Sequence, residues 1–332
     1  MGFYALLLIK QKVRSYFMSK FKQLFQKVGG WQIIKDYLHA RVFFFAAVQI
    51  LLCGFSKKSL EIVRQAVTNK IVSRLRRKYR KFIANYVANE KPAQQNHSNK
   101  VWVCWLQGME NAPALVQRCY RSLQENLTDR EIILLTEENY RNYVTFPEHV
   151  QKKIDSNIIT RTHMSDLLRL ELLLRHGGTW IDATVFCSGG NIPAYMLDSD
   201  LFFYQILKPG ADGQTTILSS WFMTACTNHP VLLLTRALLY HYWENHNNMV
   251  DYFLLHDFFQ LALEAYPELW AQVMPVSSAT PHILLLRLFD EFNADLWKQT
   301  QAATCFHKLT YKFTPEQASL NNTYYHAIIN DR

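Results

Sequence analysis

A leucine-rich segment that ends at two glycines and continues directly into an apolar strand constrains this sequence more than any other feature. Apolar residues recur at helical spacing through residues 163–176, which predicts a helix with a wide apolar face, and Gly177-Gly178 ends it. Residues 179–186 follow as an apolar run of strand length that contains Asp182. Because an unpaired carboxylate is costly to bury, Asp182 needs a partner close by.

Four polar side chains can converge at this helix-to-strand junction. Asp166 and Arg169 are three residues apart and share a helical face, and Asp182 and Thr184 are two apart and share a face of an extended segment. A carboxylate at a strand end can bind a hard divalent cation, and that cation can neutralise a diphosphate leaving group. The alternative for Asp166 and Arg169 is an ordinary ion pair on a helix surface.

The sequence on the amino-terminal side of this helix predicts an α/β domain. Residues 101–106 and 131–135 are apolar runs of strand length, and residues 113–127 between them have a helical pattern. A strand, a helix and a second buried strand in this order are typical of parallel pairing. Residues 88–100 are polar and lack apolar periodicity, so we interpret them as a linker before a globular domain at residues 101–332.

The charge is divided unevenly along the chain. Residues 1–100 carry 20 Lys and Arg against 3 Asp and Glu, out of 36 and 27 in the whole sequence, so the remaining residues hold 16 against 24. The longest apolar stretch, residues 42–55, has 14 residues, whereas a membrane-spanning helix needs roughly 20. Residues 1–87 are therefore predicted to be a basic, amphipathic helical segment and not a membrane span.

Basic helices with interleaved aromatic residues favour an anionic membrane surface. Nucleic acid needs the same cations, but the apolar runs Leu6-Leu7-Leu8 and Phe43-Phe44-Phe45 argue against it, so no nucleic-acid partner is predicted. A solvated helical bundle without a partner is the other alternative. The six cysteines are widely spaced and form no CxxC pair, which favours reduced thiols in a cytoplasmic protein.

The junction residues resemble the signature of a known enzyme family. Ser165-Asp-Leu-Leu-Arg169, seven further residues and Gly177-Gly-Thr-Trp-Ile-Asp-Ala-Thr184 are similar to the motif of DXD glycosyltransferases, which include yeast initiating mannosyltransferases and clostridial glucosylating toxins. The resemblance is strongest to their bacterial branch, the capsular polysaccharide synthesis proteins, and covers roughly residues 100–315. It implies a GT-A-like nucleotide-sugar-binding domain, here preceded by a basic N-terminal helical segment, and a divalent cation, Mn2+ or Mg2+.

The resemblance also implies roles for individual residues. Asp166 and Arg169 correspond to groups that contact the donor sugar and phosphates, and Asp182 corresponds to the first acid of the DXD motif. Thr184 stands where the family has the second acid, and its hydroxyl adds no charge. His307 resembles the carboxyl-terminal metal ligand of many such enzymes. The implied catalytic residues are Asp166, Arg169 and Asp182, and the implied metal ligands are Asp182, Thr184 and His307.

Further residues are implied on the donor and acceptor sides. Trp102 or Trp105 corresponds to an aromatic residue that stacks on the nucleotide base, although a buried tryptophan in the first strand is the alternative. His256 and Asp257 form a candidate acceptor-side pair, with a core histidine as the alternative. Lys308 and Lys312 resemble diphosphate-binding lysines, with a solvated basic tail as the alternative. The donor-binding candidates are Trp102, Trp105, Gln107, Gly178, Thr184, Ser220, Lys308 and Lys312.

Together with the basic amino-terminal segment, the resemblance implies a glycosyltransferase that moves a hexose from a nucleotide diphosphate sugar to a capsular or surface polysaccharide acceptor, with retention of configuration. The predicted partners are the nucleotide-sugar donor, a glycan or lipid-linked oligosaccharide acceptor and an anionic membrane surface. The predicted location is peripheral, on the cytoplasmic face of a bacterial inner membrane. The alternatives are a metal-dependent phosphodiester or pyrophosphate hydrolase and a non-catalytic surface-binding protein with a degenerate site.

Overall fold

The computed structural model describes residues 30–207 and 215–330. The described chain divides into two compact units. The first contains the described residues up to Leu75 together with Asn248–Leu254, and the second contains Arg76–Asn247 and the described residues from Leu255 onward. The part of the predicted basic segment at residues 1–29 lies outside the described residues.

The first unit is helical. It contains α1 (Gly30–His39), α2 (Phe43–Cys53) and the beginning of α3 (Lys57–Ala88). α2 ends at Gly54, whose φ of 85° suits glycine and whose amide donates to the Ile50 carbonyl. Among the helices that the structure describes, none is long and apolar enough to cross a membrane.

The strands of the second unit are β1 (Lys100–Cys104), β2 (Glu131–Leu135), β3 (Gly178–Ile181), β4 (Val185–Cys187), β5 (Leu201–Gln205), β6 (Leu218–Ala225) and β7 (Phe306–Lys308). Five of them form a mixed sheet with the spatial order β2-β1-β3-β6-β5, and β4 and β7 form a separate pair. β2, β1 and β3 are parallel, and β6 runs antiparallel to both β3 and β5. The α/β class is therefore confirmed, and the arrangement agrees with the GT-A-like fold that the motif implies.

Helices cover the sheet and follow the apolar patterns in the sequence. The α-helices after α3 are α4 (Ala114–Asn126), α5 (Glu148–Asp155), α6 (Arg161–His176), α7 (Ala194–Leu197), α8 (Pro230–Asn245), α9 (Leu254–Ala265), α10 (Pro267–Ala271), α11 (Ile283–Arg287), α12 (Ala294–Ala303), α13 (Pro315–Ala318) and α14 (Tyr324–Ile329). α4 joins β1 to β2 and buries Val116 and Leu123 in the same core as Val103 of β1.

The leucine-rich helix and its glycine stop form as predicted. α6 is capped by Thr160, whose hydroxyl accepts from the His163 amide at 3.3 Å. Gly177 and Gly178 have φ values of 66° and 92°, and a Cβ atom at Gly178 would lie 2.2 Å from the Lys100 carbonyl oxygen. Gly178 therefore allows β3 to leave the helix and pair closely with β1.

The prediction of one continuous strand over residues 179–186 is wrong. The Asp182 amide donates to the Trp221 carbonyl at 2.8 Å, and the Val185 amide donates back to the Asp182 carbonyl at 3.0 Å. This turn ends β3 at Ile181 and sends the chain into β4, which pairs with β7. Asp182 and Thr184 therefore lie at a break between two sheets.

The polar segment at residues 88–100 packs along the second unit. The Asn96 amide donates to the Thr227 hydroxyl at 2.9 Å, and the Thr227 amide donates to the Asn96 carbonyl at 3.0 Å. The Asn228 side-chain amide donates to the Gln94 carbonyl at 2.9 Å. This segment is therefore hydrogen-bonded to the loop that follows β6. The domain boundaries at residues 87 and 100 remain predictions.

Candidate active site

Asp182 stands at the carboxyl end of β3, where the chain leaves the main sheet. Its side chain is 29% exposed. Its Oδ1 atom accepts a hydrogen bond of 2.9 Å from the Trp180 indole, two residues earlier on the same strand. Ligand sites of open α/β sheets lie outside the carboxyl ends of parallel strands, which is where this carboxylate is found.

Lys308 reaches Asp182 and Thr184 from β7. Its ammonium donates to Asp182 Oδ2 at 3.1 Å and to Thr184 Oγ1 at 2.5 Å. The backbone fixes this approach, because β7 pairs Lys308 with Val185 and the Leu309 amide donates to the Thr184 carbonyl at 2.9 Å. A cation is therefore held between the two side chains of the DXD-like motif.

Arg169 approaches Asp182 from the other side. Its Nη2 atom lies 3.6 Å from Asp182 Oδ1, and its Nη1 atom lies 3.2 Å from Asp166 Oδ1. The guanidinium also lies over the Trp180 ring, 4.9 Å from its centroid. The Arg169 side chain is only 5% exposed, so the pair with Asp166 is buried and is not an ordinary surface ion pair.

Asp166 is held by a second group that the motif does not contain. The His163 Nε2 atom accepts from the Trp243 indole at 3.0 Å, so the ring proton is on Nδ1 and donates to Asp166 Oδ2 at 3.3 Å. Burial raises the pKa of Asp166, but Arg169 and the His163 hydrogen bond outweigh it, and the pKa falls below its ordinary value. Asp166 is therefore a carboxylate anion at neutral pH.

The charges of Asp166, Arg169 and Asp182 also act on His256. Burial lowers its pKa to about 4, with a further lowering by Arg169 and an opposing effect of Asp166 and Asp182. The ring is thus neutral near pH 7. Its neighbour Asp257, in the first turn of α9, is fully buried. His256 is therefore close enough to Asp166, Arg169 and Asp182 for their charges to act on its pKa.

Cys104 is influenced by the charges of Asp182 and Arg169, and the sequence analysis did not single it out as a site residue. It is the last residue of β1, and burial raises the pKa of its thiol to about 12, with further raising by Asp182 and Glu137 and an opposing effect of Arg169. The thiol is therefore protonated at neutral pH. Its position at the carboxyl end of a predicted parallel strand could have indicated that it lies near a ligand site.

The structure separates the two candidate tryptophans. Trp102 is fully buried and its indole donates to the Gly177 carbonyl at 2.9 Å, which leaves no ring face for a nucleotide base. Trp105 is half-buried in the loop after β1, with Tyr311 edge-on at 5.4 Å. Gln107 is exposed, and its carbonyl accepts from Asn111. Of the two rings, Trp105 is the one that can reach a ligand.

The structure also separates the carboxyl-terminal candidates His307, Lys308 and Lys312. His307 lies on the opposite face of β7 from Lys308, where its Nε2 atom is 2.9 Å from the Ser188 hydroxyl and burial lowers its pKa to about 4. The structure therefore does not bring His307 to Asp182 and Thr184. Lys312 is exposed beyond the strand, and Ser220 is half-buried on β6.

The residues around Asp182 do not fit a divalent-cation site. Among the described residues, no group of three or more His, Cys, Asp and Glu side chains could hold a metal ion. The motif offers one carboxylate and one hydroxyl, the fewest protein groups with which Mg2+ is held beside substrate phosphates, so the outcome depends on what lies between them. Lys308 lies between these two groups, at the position that a motif-bound cation needs.

Comparison with known proteins identifies the family. A family model described as capsular polysaccharide synthesis protein matches residues 54–328. The chain therefore belongs to this family, as the motif predicts, and the match includes the whole of α3, which lies before the region of resemblance noted in the sequence. Family membership supports the predicted transferase class.

Individual relatives are more distant. The protein is 32% identical over 108 residues to the glycosyltransferase afumC of Aspergillus fumigatus (strain CBS 144.89 / FGSC A1163 / CEA10), which is 28% of this chain and 26% of that protein. The match thus spans about a quarter of the length of this curated relative. A solved structure, PaToxG glycosyltransferase, aligns with a TM-score of 0.36 and 16% identity over 81% of this chain and 98% of that chain.

Proposed function

We propose that the protein is a glycosyltransferase that moves a hexose from a nucleotide diphosphate sugar to a capsular or surface polysaccharide acceptor, with retention of configuration. Membership of the capsular polysaccharide synthesis family supports the transferase class. The observation that carries the proposal is the approach of Lys308 and Arg169 to Asp182 at the carboxyl end of β3. Two cations at one ligand-facing carboxylate suit a substrate with a diphosphate group.

In this mechanism the site stabilises the departing diphosphate. The bond between the sugar C1 atom and the phosphate oxygen breaks, and negative charge accumulates on that oxygen. Lys308, which is 19% exposed, donates to it, while Arg169, itself paired with Asp166, holds Asp182 in place. Preorganised charge of this kind is usually the largest catalytic contribution.

The acceptor hydroxyl attacks C1 on the face that the diphosphate leaves. This route gives retention without a carboxylate nucleophile, and the hydroxyl proton passes to the departing phosphate oxygen. We place His256 and Asp257 on the acceptor side, and because Asp257 is fully buried, His256 is the member of the pair that can meet the acceptor. A neutral His256 can exchange a hydrogen bond with a sugar hydroxyl without adding charge beside Arg169.

A screen of nucleotide sugars tests this proposal. The unfolding temperature of the full chain is measured with UDP-, GDP-, ADP- and dTDP-linked hexoses and with the corresponding monosaccharides. We expect one nucleotide sugar to raise the unfolding temperature and the free sugars to leave it unchanged, because the cations bind the diphosphate. Phosphate release without a sugar acceptor would favour a hydrolase, and no response to any nucleotide would contradict the proposal.

We also propose that the first unit binds an anionic membrane surface. Such binding would place the enzyme peripherally on the cytoplasmic face of a bacterial inner membrane, beside a lipid-linked acceptor. Phe44, Leu51 and Leu52 of α2 are 80%, 77% and 76% exposed. Lys57 and Lys58 follow directly in α3, within the segment of 20 basic and 3 acidic residues. Apolar side chains with basic neighbours match the chemistry of an anionic interface.

Replacing the exposed apolar residues of α2 tests the membrane proposal. We expect the triple variant Phe44→Ser, Leu51→Ser and Leu52→Ser to bind vesicles of phosphatidylcholine and phosphatidylglycerol at least about tenfold more weakly, because each buried side chain contributes roughly 1.5–3 kcal/mol. Co-flotation measures the bound fraction. Leu286→Ser, at a residue 81% exposed in the second unit, is the matched control and should bind like the unmodified protein. Equal binding by the triple variant would refute this surface.

A further inference from the structure

Lys308 occupies the position between the two side chains of the DXD-like motif. Its ammonium is 3.1 Å from Asp182 Oδ2 and 2.5 Å from Thr184 Oγ1. Pairing of β7 with β4 sets this geometry, since Lys308 is in register with Val185 and the next residue bonds to the Thr184 carbonyl. The lysine is therefore placed by backbone structure and is only 19% exposed.

The positive charges of Lys308 and Arg169 oppose the binding of a further cation at Asp182. Lys308 and Arg169 already lie 3.1 Å and 3.6 Å from its two carboxylate oxygens. A divalent ion between Asp182 and Thr184 would have to displace the ammonium and would still lie close to the guanidinium. Like charges at such distances repel strongly in a partly buried site.

We propose that Lys308 takes the place of the divalent cation, so that this enzyme binds and activates its nucleotide diphosphate donor without a metal ion. This inference rests on the proposed function. An ammonium has three donors, of which Asp182 and Thr184 engage two, and the third is available to a phosphate oxygen. In this arrangement Asp182 positions the lysine, and the threonine accepts a bond that a second carboxylate would otherwise take.

Binding of nucleoside diphosphates in the presence and absence of metal tests the inference. The full chain is titrated calorimetrically with UDP, GDP, ADP and dTDP, once with excess EDTA and once with Mn2+. We expect one nucleotide to bind with a Kd that differs by less than about threefold between the two conditions. Because truncation removes a charge-assisted hydrogen bond to the phosphate, Lys308→Ala and Lys308→Met should weaken binding in EDTA about tenfold or more.

The controls separate the possible failures. Lys298→Ala changes an exposed lysine of α12 and should leave the Kd unchanged. Binding by the unmodified protein in Mn2+ but not in EDTA would overturn metal independence and leave the proposed function standing. Binding in EDTA that both Lys308 variants retain would overturn the role of Lys308. Binding of no nucleotide in either condition would overturn the inference together with the proposed function.

A charge-reversing variant provides an independent measurement. Lys308→Glu brings a second carboxylate towards Asp182 and Thr184 and removes the ammonium between them. We expect this variant to bind Mn2+ alone, detected as a loss of the free-ion electron paramagnetic resonance signal, while the unmodified protein leaves that signal unchanged. Mn2+ binding by the unmodified protein that Asp182→Asn abolishes would contradict the inference.

Discussion

Asp182→Asn is expected to reduce glycosyl transfer about a hundredfold or more while the fold remains intact. The amide has nearly the same shape and can still accept from the Trp180 indole, but it carries no charge to hold Lys308 and Arg169. Loss of one preorganised charge contact at a reacting centre commonly has an effect of this size. Initial rates of nucleotide release with acceptor present, and the unfolding temperature, measure the two parts of the prediction.

Asp290→Asn is the matched control for this variant. Asp290 is 57% exposed and forms a surface pair of 3.7 Å with Arg287, so the same chemical change should leave transfer unaffected. A near-normal rate for Asp182→Asn would show that Asp182 is not part of the active site. A rate loss that Asp290→Asn shares would indicate a general effect on the protein.

Arg169→Lys is expected to reduce transfer nearly as much as Arg169→Ala, by about a hundredfold. A guanidinium contacts Asp166, Asp182 and the Trp180 ring at the same time, and a single ammonium cannot make all three contacts. The alanine variant should also be less stable, because it leaves Asp166 buried without its cation, which costs about 3–5 kcal/mol in comparable pairs. Values of kcat and KM for both variants, with urea unfolding, separate these effects.

Arg287→Lys is the control for this pair of variants. Arg287 forms an ion pair with Asp290 at the same three-residue spacing as Arg169 and Asp166, but both partners are about half exposed. We expect no change in kcat. Full activity of Arg169→Lys would show that transfer does not need the simultaneous contact of the Arg169 guanidinium with Asp166 and Asp182, and would contradict this prediction.

Local patterns predicted the part of the site that is contiguous in sequence. The helix, the Gly177-Gly178 stop and the strand before Asp182 follow from residue spacing and from the freedom of glycine at positive φ. The pairing of Asp166 with Arg169 follows from helical geometry. The turn at Asp182 could not be predicted from helical or strand spacing. It depends on a hydrogen bond from the Asp182 amide to Trp221, and residue spacing near Asp182 does not show that the strand containing Trp221 lies beside it.

Contacts between distant segments could not be derived from the sequence. Lys308 is 126 residues from Asp182, and the Trp243 indole that sets the His163 tautomer is 80 residues from that ring. Alternation along β7 predicts that His307 and Lys308 face opposite ways, but it does not say which of them faces Asp182. The same ambiguity applies to Trp102 and Trp105, and only packing decides that Trp102 is the core residue.

Detection of the transferred sugar is the most direct test of the central claim that this is a glycosyltransferase. The full chain is incubated with an isotope-labelled nucleotide sugar selected by the unfolding-temperature screen and with a lipid-linked oligosaccharide acceptor, and both products are analysed by mass spectrometry. The account predicts an acceptor heavier by one labelled hexose together with an equal amount of nucleoside diphosphate, both greatly reduced with Asp182→Asn. Release of nucleoside monophosphate and sugar phosphate without a labelled acceptor would contradict it.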